Sequence, residues 1–255
     1  MTRLYLIRHG QAVCNVPPYG KVAGPLGDEG LTERGRLQAA RLRDRLAATG
    51  EIAADVLIAS PLARARQTAE IIAPALALPI IFDDDVQEMR VGEFDGLPWE
   101  EVKDRVPDFR QTPFQPFGPG GENWGQFALR VGTALHRITT EHAGKTIVVV
   151  CHGGVVDGSL LYFFGLPTLA PLPTAGLYTR NTSLTLWERQ DGTNSANGTN
   201  SDAPPRWHLK LYNDDLHTRD IEAPERIRWT RLAKPLPRAQ EEPAAPLPTE
   251  APDEA

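Results

Sequence analysis

Two histidines in this chain each follow a short apolar segment and are each followed by glycine. His9 lies in LYLIRHG, and His152 lies in IVVVCHGG. Ligands of parallel α/β sheets bind beyond the carboxyl ends of the strands, which is where both imidazoles are expected. Glycine after a histidine removes a Cβ from the turn and lets the backbone approach a ligand. One such histidine is usually structural, but two at equivalent strand ends indicate a shared pocket.

Two arginines near these histidines indicate the chemistry of that pocket. Arg8 directly precedes His9, and Arg64 follows another apolar segment in DVLIASPLARARQTAEII. We expect Ser60 to cap a helix that starts at Pro61, so that Arg64 lies in the first turn and adds to the positive end of the helix dipole. Guanidinium groups disfavour a divalent cation and bind phosphate or carboxylate oxygens through paired hydrogen bonds. The pocket is therefore predicted to bind a phosphoryl group.

A neutral imidazole in such a pocket can attack phosphorus and form a phosphohistidine that water later cleaves. His9 is the predicted nucleophile. The side chains expected to hold the phosphoryl oxygens are those of Arg8, Arg64, Asn15 and His152. The leaving alkoxide needs a proton, and the segment FDDDVQEMRVGEFDG offers Glu88 and Glu93. The residues alone leave the choice between these two open.

The elements that must position these residues follow from the order of apolar segments and helical patterns, which predicts β-α-β units on a mainly parallel sheet. Strands are expected at 4–7, 56–59, 78–82 and 145–150, and helices within 31–48, 61–76, about 122–142 and 155–165. Two further strands, 182–189 and 206–212, are expected to form a hairpin with a flexible tip at about 190–205.

Length and composition limit the classes of protein. The 255 residues are enough for one domain, placed at 1–232, with a disordered tail rich in Pro, Ala and Glu at 233–255. A net charge of -6 argues against a nucleic-acid binder, which needs clustered Lys and Arg. No apolar stretch approaches the roughly 20 residues that cross a bilayer, and no leader follows Met1, so a cytoplasmic protein without a membrane partner is expected. A homodimer is compatible with the sequence.

Six motifs carry a further signal. The segments LIRHGQAVCN, LTERGRLQA, SPLARARQTA, QEMRVGEFDG, GGE and VVVCHGG occur in this order between Leu4 and Asn181. Together they resemble the phosphatase branch of the histidine phosphatase superfamily, also called phosphoglycerate-mutase-like. The resemblance implies a three-layer α/β/α sandwich whose sheet is mostly parallel with an antiparallel strand. It also implies an enzyme that hydrolyses a small phosphomonoester without a metal or another cofactor.

The resemblance assigns roles to single residues. It implies that His9 becomes phosphorylated, and it selects Glu88 over Glu93 as the proton donor and later the base. The other implied residues are Arg8, Arg64 and His152 in the phosphate pocket, with Asn15, Gln11 and Gly153 in contact with the substrate. Gln11 and Ala12 replace the Glu-Thr pair common after Arg-His-Gly, which affects fine positioning near the phosphate. The segment LYNDDLHTR resembles an ending found in some phosphatases of the family, although a surface position is expected for its His217.

The branch of the family is inferred from the segment between the donor and the second histidine. Mutases of the family usually carry a long basic insertion there, whereas residues 94–127 of this chain are rich in aromatic side chains. We hypothesise that part of this segment forms an apolar lid over the leaving group, and the alternative is that its rings pack it onto the body. A phosphoglycerate mutase and a non-catalytic phosphate-binding protein remain alternative functions. A metal-dependent hydrolase with His9, His152 and His217 as ligands is disfavoured by the neighbouring arginines.

Overall fold

A six-stranded sheet forms the centre of the protein. The structure is a computed structural model, and it describes residues 1–109, 111–166, 176–190 and 206–221. The strands are β1 (Thr2–Arg8), β2 (Val56–Ala59), β3 (Ile80–Phe82), β4 (Thr146–Cys151), β5 (Leu184–Arg189) and β6 (Trp207–Asp214). The helices are α1 (Glu33–Thr49), α2 (Ala63–Leu76), α3 (Trp99–Val102), α4 (Trp124–Glu141) and α5 (Gly153–Phe164).

The sheet has the mixed character that the resemblance implies. Its strand order is β3-β2-β4-β1-β5-β6. Strand β5 pairs antiparallel with both of its neighbours, and the other pairs are parallel. The parallel strands β1 and β4 therefore lie side by side, and their carboxyl ends meet at the same edge of the sheet.

Helices cover both faces of this sheet, because successive residues of a strand point to opposite faces. On one face, Leu4 and Val149 belong to a buried cluster with residues of α4 and α5. On the other face, Ile7 and Val150 belong to a cluster with residues of α1 and α2. The predicted three-layer α/β/α arrangement is confirmed.

Side-chain caps set the ends of the two longest helices. Helix α1 begins after Thr32, whose hydroxyl accepts a hydrogen bond from Gly35 N, and ends at Gly50 in the left-handed region with φ of 58°. Helix α4 begins after Asn123, which forms a capping box with Gln126. These caps explain why the helices begin two residues later than the apolar patterns alone predict.

The aromatic segment 94–127 packs largely onto the body of the protein. Phe94 is buried in a small cluster with Val102, and its ring centroid lies 6.5 Å from that of Phe117. Phe127 is buried in the main core, while Phe114 is 67% exposed. The packing alternative therefore describes Phe94, Phe117 and Phe127 better than the lid hypothesis does.

The described residues form one compact unit, Met1–Ile221. The predicted hairpin tip lies outside the described residues except for residue 190, and so do the predicted domain end at 232 and the tail at 233–255. Within the described ranges, no helix combines the length and apolar character needed to span a bilayer.

Candidate active site

The two predicted histidines meet at the carboxyl edge of the sheet. Arg8, the last residue of β1, pairs in parallel register with Cys151, the last residue of β4. The residue directly after each strand is a histidine, so His9 and His152 lie side by side at the carboxyl ends of two neighbouring strands. Their ring centroids lie 5.2 Å apart, and the residues are 3% and 0% exposed. The sheet register alone is enough to bring these two imidazoles together.

Hydrogen bonds define the protonation of His9. Its Nδ1 lies 2.7 Å from the carbonyl oxygen of Gly10. A carbonyl only accepts hydrogen bonds, so Nδ1 carries the proton and Nε2 keeps its lone pair. Burial, together with the charges of Arg64 and Arg8, holds the pKa of His9 well below its usual value of 6.5. The imidazole is therefore neutral at neutral pH, with Nε2 available as a nucleophile.

Arg64 places a positive charge directly at this nucleophilic nitrogen. It lies in the first turn of α2, as predicted, and its Nε donates to His9 Nε2 at 3.2 Å. Its NH1 forms a buried ion pair with Asp28 Oδ2 at 2.9 Å, in which the two side chains are 4% and 1% exposed. The backbone N–H of Arg64 also donates to Asp28. Asp28 thus holds both the backbone and the guanidinium of Arg64 in place.

Two buried nitrogen atoms near the histidine pair have no partner among the described residues. These are Nε of Arg8 and Nδ1 of His152. Arg8 uses its NH1 to donate to the carbonyl of Thr179, and His152 uses its Nε2 to contact Ser60 Oγ at 2.8 Å. Unpaired buried polar groups are costly. A phosphoryl group bound at His9 would supply acceptors for Arg8 Nε and for His152 Nδ1 when this nitrogen carries the proton.

The expected capping role of Ser60 was wrong. Helix α2 begins at Ala63 after Leu62, which makes no side-chain cap bond. Ser60 Oγ instead accepts from Leu62 N at 3.3 Å and remains able to donate to His152 Nε2. With Ser60 as the donor of this bond, the proton of the neutral imidazole lies on Nδ1, the nitrogen without a partner. Ser60 therefore orients His152, a tertiary contact that local sequence preferences do not reveal.

The carboxylate of Glu88 lies next to the first turn of α5. It accepts hydrogen bonds from Gly154 N and from Met89 N, both at 3.1 Å. A Cβ on Gly154 would lie only 2.2 Å from Glu88 Oε1, so the carboxylate occupies space that only glycine leaves open. Glu88 also lines a cavity of about 380 Å³, whereas Glu93 is exposed and is not among the lining residues. Glu88 thus lies beside the helix that follows His152, and its role as the proton donor stays a prediction.

Comparison with known proteins agrees with this geometry. The model of the histidine phosphatase superfamily (branch 1) matches residues 4–202. The chain belongs to the histidine phosphatase superfamily. It is 36% identical over 156 residues to phosphoserine phosphatase 1 of Hydrogenobacter thermophilus, a match that covers 60% of this chain and 71% of that protein.

One further relative by sequence and one solved structure match this chain over different shares of their own lengths. A bifunctional protein of Mycobacterium tuberculosis is 37% identical over 154 residues, which cover 59% of this chain. The match covers only 41% of that longer protein. The structure of Bacillus stearothermophilus YhfR has a TM-score of 0.66 at 28% identity and covers 84% of this chain and 98% of its own.

The three residues expected to contact the substrate, Asn15, Gln11 and Gly153, occupy different positions around the histidine pair. Asn15 is exposed in a 3₁₀ turn. The Gln11 side-chain oxygen accepts from the hydroxyl of Thr32 at 2.9 Å, at the start of α1. Gly153 opens α5, and a Cβ there would lie 3.7 Å from Arg8 Nε. Their contact with substrate stays a prediction.

Asp157 is a half-buried acid near the site that sequence reasoning missed. It lies one turn into α5 and accepts from the hydroxyl of Thr179 at 3.4 Å. Burial, with a further contribution from the charge of Glu88, raises the pKa of Asp157 to about 7, and Arg8 opposes this shift. Only its position in the HGGVVD segment, one helical turn after the second histidine, could have signalled its presence.

The backbone around His9 accepts hydrogen bonds from Asn181 and Thr182, and Thr182 has a positive φ angle. Asn181 Nδ2 donates to the carbonyl of His9 at 2.9 Å, and Thr182 N donates to the carbonyl of Arg8. Thr182 has φ of 55°, a rare value for a β-branched residue, and its hydroxyl lies 2.9 Å from His217 Nε2. His217 is half-buried rather than freely exposed, and burial lowers its pKa to about 4. His217 supports a strained contact behind the nucleophile.

The alternative metal site also has a structural test. In the ranges that the structure describes, no three His, Cys, Asp or Glu side chains are grouped closely enough to hold a metal ion together. His217 in particular contacts Thr182, while His9 contacts Arg64. The three histidines considered as ligands therefore have different partners.

Proposed function

We propose that this chain is a metal-independent phosphomonoester hydrolase that works through a phosphohistidine on His9. One observation carries the proposal: His9 Nε2 keeps its lone pair and lies 3.2 Å from Arg64 Nε, near the buried and unpartnered nitrogens Arg8 Nε and His152 Nδ1. A nucleophile that is surrounded by donors suits a substrate that is an anion with several acceptor oxygens. A phosphoryl group has this chemistry.

In the first step, His9 Nε2 attacks phosphorus, the N–P bond forms and the bond from phosphorus to the leaving oxygen breaks. Arg8, Arg64 and His152 stabilise the charge on the equatorial oxygens, which is the main requirement of phosphoryl transfer. Glu88, in its protonated form, gives its proton to the leaving alkoxide. The first product is an alcohol, and the enzyme holds a phosphohistidine.

In the second step, water attacks the phosphohistidine and Glu88, now a carboxylate, accepts a proton from that water. The N–P bond breaks, inorganic phosphate forms, and His9 returns to its neutral state with Glu88 protonated again. Each residue thus ends the cycle in the state in which it began. The phosphoserine phosphatase activity in the name of the Hydrogenobacter relative supports a small phosphomonoester as the substrate.

The experiment is an initial-rate assay with a chelator present. We expect hydrolysis of p-nitrophenyl phosphate, tested beside phosphoserine and 3-phosphoglycerate, that disappears in His9→Ala. In Glu88→Gln, hydrolysis of alkyl phosphates should fall sharply, because their leaving alkoxide needs a proton. An acid-labile phosphate on the wild-type protein, absent from His9→Ala, identifies the intermediate. Conversion of 3- to 2-phosphoglycerate faster than hydrolysis would make the chain a mutase. Activity that needs an added metal would overturn the proposal.

A further inference from the structure

Arg130, on helix α4, uses its whole hydrogen-bonding capacity around the Glu88 loop. A guanidinium has five N–H donors, and here all are engaged. The Nε and NH2 groups donate to the two carboxylate oxygens of Glu122 at 2.7 Å each. The remaining bonds reach the backbone carbonyls of Asp85 at 2.8 Å, Gln87 at 3.1 Å and Glu88 at 3.2 Å. One side chain thus holds three carbonyls at and just before the proposed proton donor.

Glu122 holds the same loop from the other side of Glu88. Its Oε2 accepts from Arg90 N at 2.9 Å, and its own N–H donates to the Arg90 carbonyl at 2.8 Å. The Arg130 and Glu122 side chains are 9% and 11% exposed. Burial alone would raise the pKa of Glu122, but the hydrogen bonds from Arg130 and from Arg90 N outweigh it and leave the pKa lowered. Arg130 and Glu122 therefore form a charged, nearly buried ion pair that contacts the loop on both sides of Glu88, and we call this pair the bracket.

The loop needs such a bracket because regular structure does not hold it. Between β3 and α3, the backbone has only two short 3₁₀ turns, Asp84–Val86 and Gly92–Phe94, and Glu88 lies between them. A displacement of about 1 Å at a reacting group can reduce a rate about 10²-fold. Backbone N–H groups of Gly154 and Met89 hold the Glu88 carboxylate itself, and the Arg130 and Glu122 side chains hold the loop that carries it.

We propose that Arg130 and Glu122 are positioning residues for proton donation by Glu88. The inference rests on the proposed function, in which Glu88 protonates the leaving group. It has a specific kinetic consequence, because an alkoxide needs a proton to leave and p-nitrophenolate does not. A displaced Glu88 should slow phosphorylation of His9 by alkyl phosphates and spare phosphorylation by p-nitrophenyl phosphate.

The test compares kcat/KM for two substrates, because this ratio reports the steps through phosphorylation of the enzyme. The substrates are p-nitrophenyl phosphate and the alkyl phosphate that wild type hydrolyses fastest. In Arg130→Lys, which cannot reproduce the five-bond fork, we expect a loss of about 10²-fold for the alkyl phosphate and less than about 5-fold for the aryl phosphate. Glu122→Gln, which keeps the shape of the side chain, should show the same selectivity with a smaller loss.

Arg137→Lys is the matched control. Arg137 lies two turns further along α4, is 39% exposed and pairs with Asp83 at 2.7 Å, so it contacts the same loop without reaching Glu88. Its substitution should leave the ratio between the two substrates unchanged. Thermal unfolding of each variant shows whether the fold is retained. An Arg130→Lys that does not fold moves the test to Glu122→Gln alone.

The inference is overturned if the variants lose the same factor with both substrates, or lose nothing. Glu88→Gln separates this failure from failure of the proposed function. If Glu88→Gln is selective for alkyl phosphates and Arg130→Lys is not, Glu88 is the donor but Arg130 does not position it. If Glu88→Gln itself lacks this selectivity, the donor role fails and the inference fails with it.

Discussion

The two sides of the site are built in different ways. The phosphate side consists of Arg8, His9 and His152, which follow directly from the register of two parallel strands. The donor side consists of Glu88 on an irregular loop that Arg130 and Glu122 bracket. Regular structure thus positions the proposed nucleophile, whereas the loop of the proposed acid is held by Arg130 of α4 and by Glu122, which lies just before that helix. The two sides should therefore respond differently to substitution.

The largest effect is expected on the phosphate side. His9→Ala removes the nucleophile, so turnover should fall by at least about 10⁴-fold with every leaving group. Steady-state rates with alkyl and aryl phosphates measure this loss. His208→Ala, which removes an exposed histidine of β6, is the control and should retain activity. A loss confined to alkyl phosphates would contradict the nucleophilic role.

The buried ion pair behind the nucleophile should matter for stability. Asp28→Asn leaves the Arg64 guanidinium buried without its counter-charge, so the free energy of unfolding should fall by about 3 kcal/mol or more. Denaturant unfolding measures the change. Asp44→Asn, which removes an exposed pair with Arg43, should cost less than about 1 kcal/mol. Equal effects of the two substitutions would show that the buried pair has no special weight.

Adjacent glycines allow each side of the site to be disturbed separately. In Gly154→Ala the new Cβ would lie 2.2 Å from Glu88 Oε1, so the carboxylate must move, and kcat/KM for alkyl phosphates should fall about 10²-fold. In Gly153→Ala the nearest atom is Arg8 Nε at 3.7 Å, an ordinary contact. Any loss there should be smaller and equal for alkyl and aryl phosphates. The reverse pattern would contradict the division of the site.

The smallest effect concerns Asp157, which lies between the two sides. Its pKa is raised from 3.8 to about 7, so the folded state holds a proton that the unfolded state has released. The protonated carboxyl of Asp157 therefore stabilises the folded state fully below pH 3.8, and this stabilisation is lost as the pH rises through about 7. Asp157→Asn should therefore gain thermal stability relative to wild type as the pH increases from about 5 to about 8. Asp104→Asn, at an exposed position, should show no such trend.

Sequence patterns predict the phosphate side far better than the donor side. Strand β2 was expected at 56–59 and is observed at Val56–Ala59, and the predicted helix of Arg64 places this residue in its first turn. Apolar segments and the residues directly after them are local signals, so they survive in a single sequence. The residues that sequence reasoning missed are brought in by tertiary contacts between remote segments. Arg130 is an example, because the sequence alone predicts a solvated surface position for an arginine on an amphipathic helix.

Because β1 pairs with β4, the pocket around His9 and His152 should form late in the folding of the chain. These strands come from the first residues and from beyond the midpoint, and their contact requires closure of a very long loop. A chain that ends before Thr146 keeps Arg8 and His9 but lacks both His152 and the neighbouring strand. During refolding, the capacity of His9 to accept a phosphoryl group should return with this long-range strand pairing, after the local helices. Labelling of His9 would thus report the arrival of the native topology.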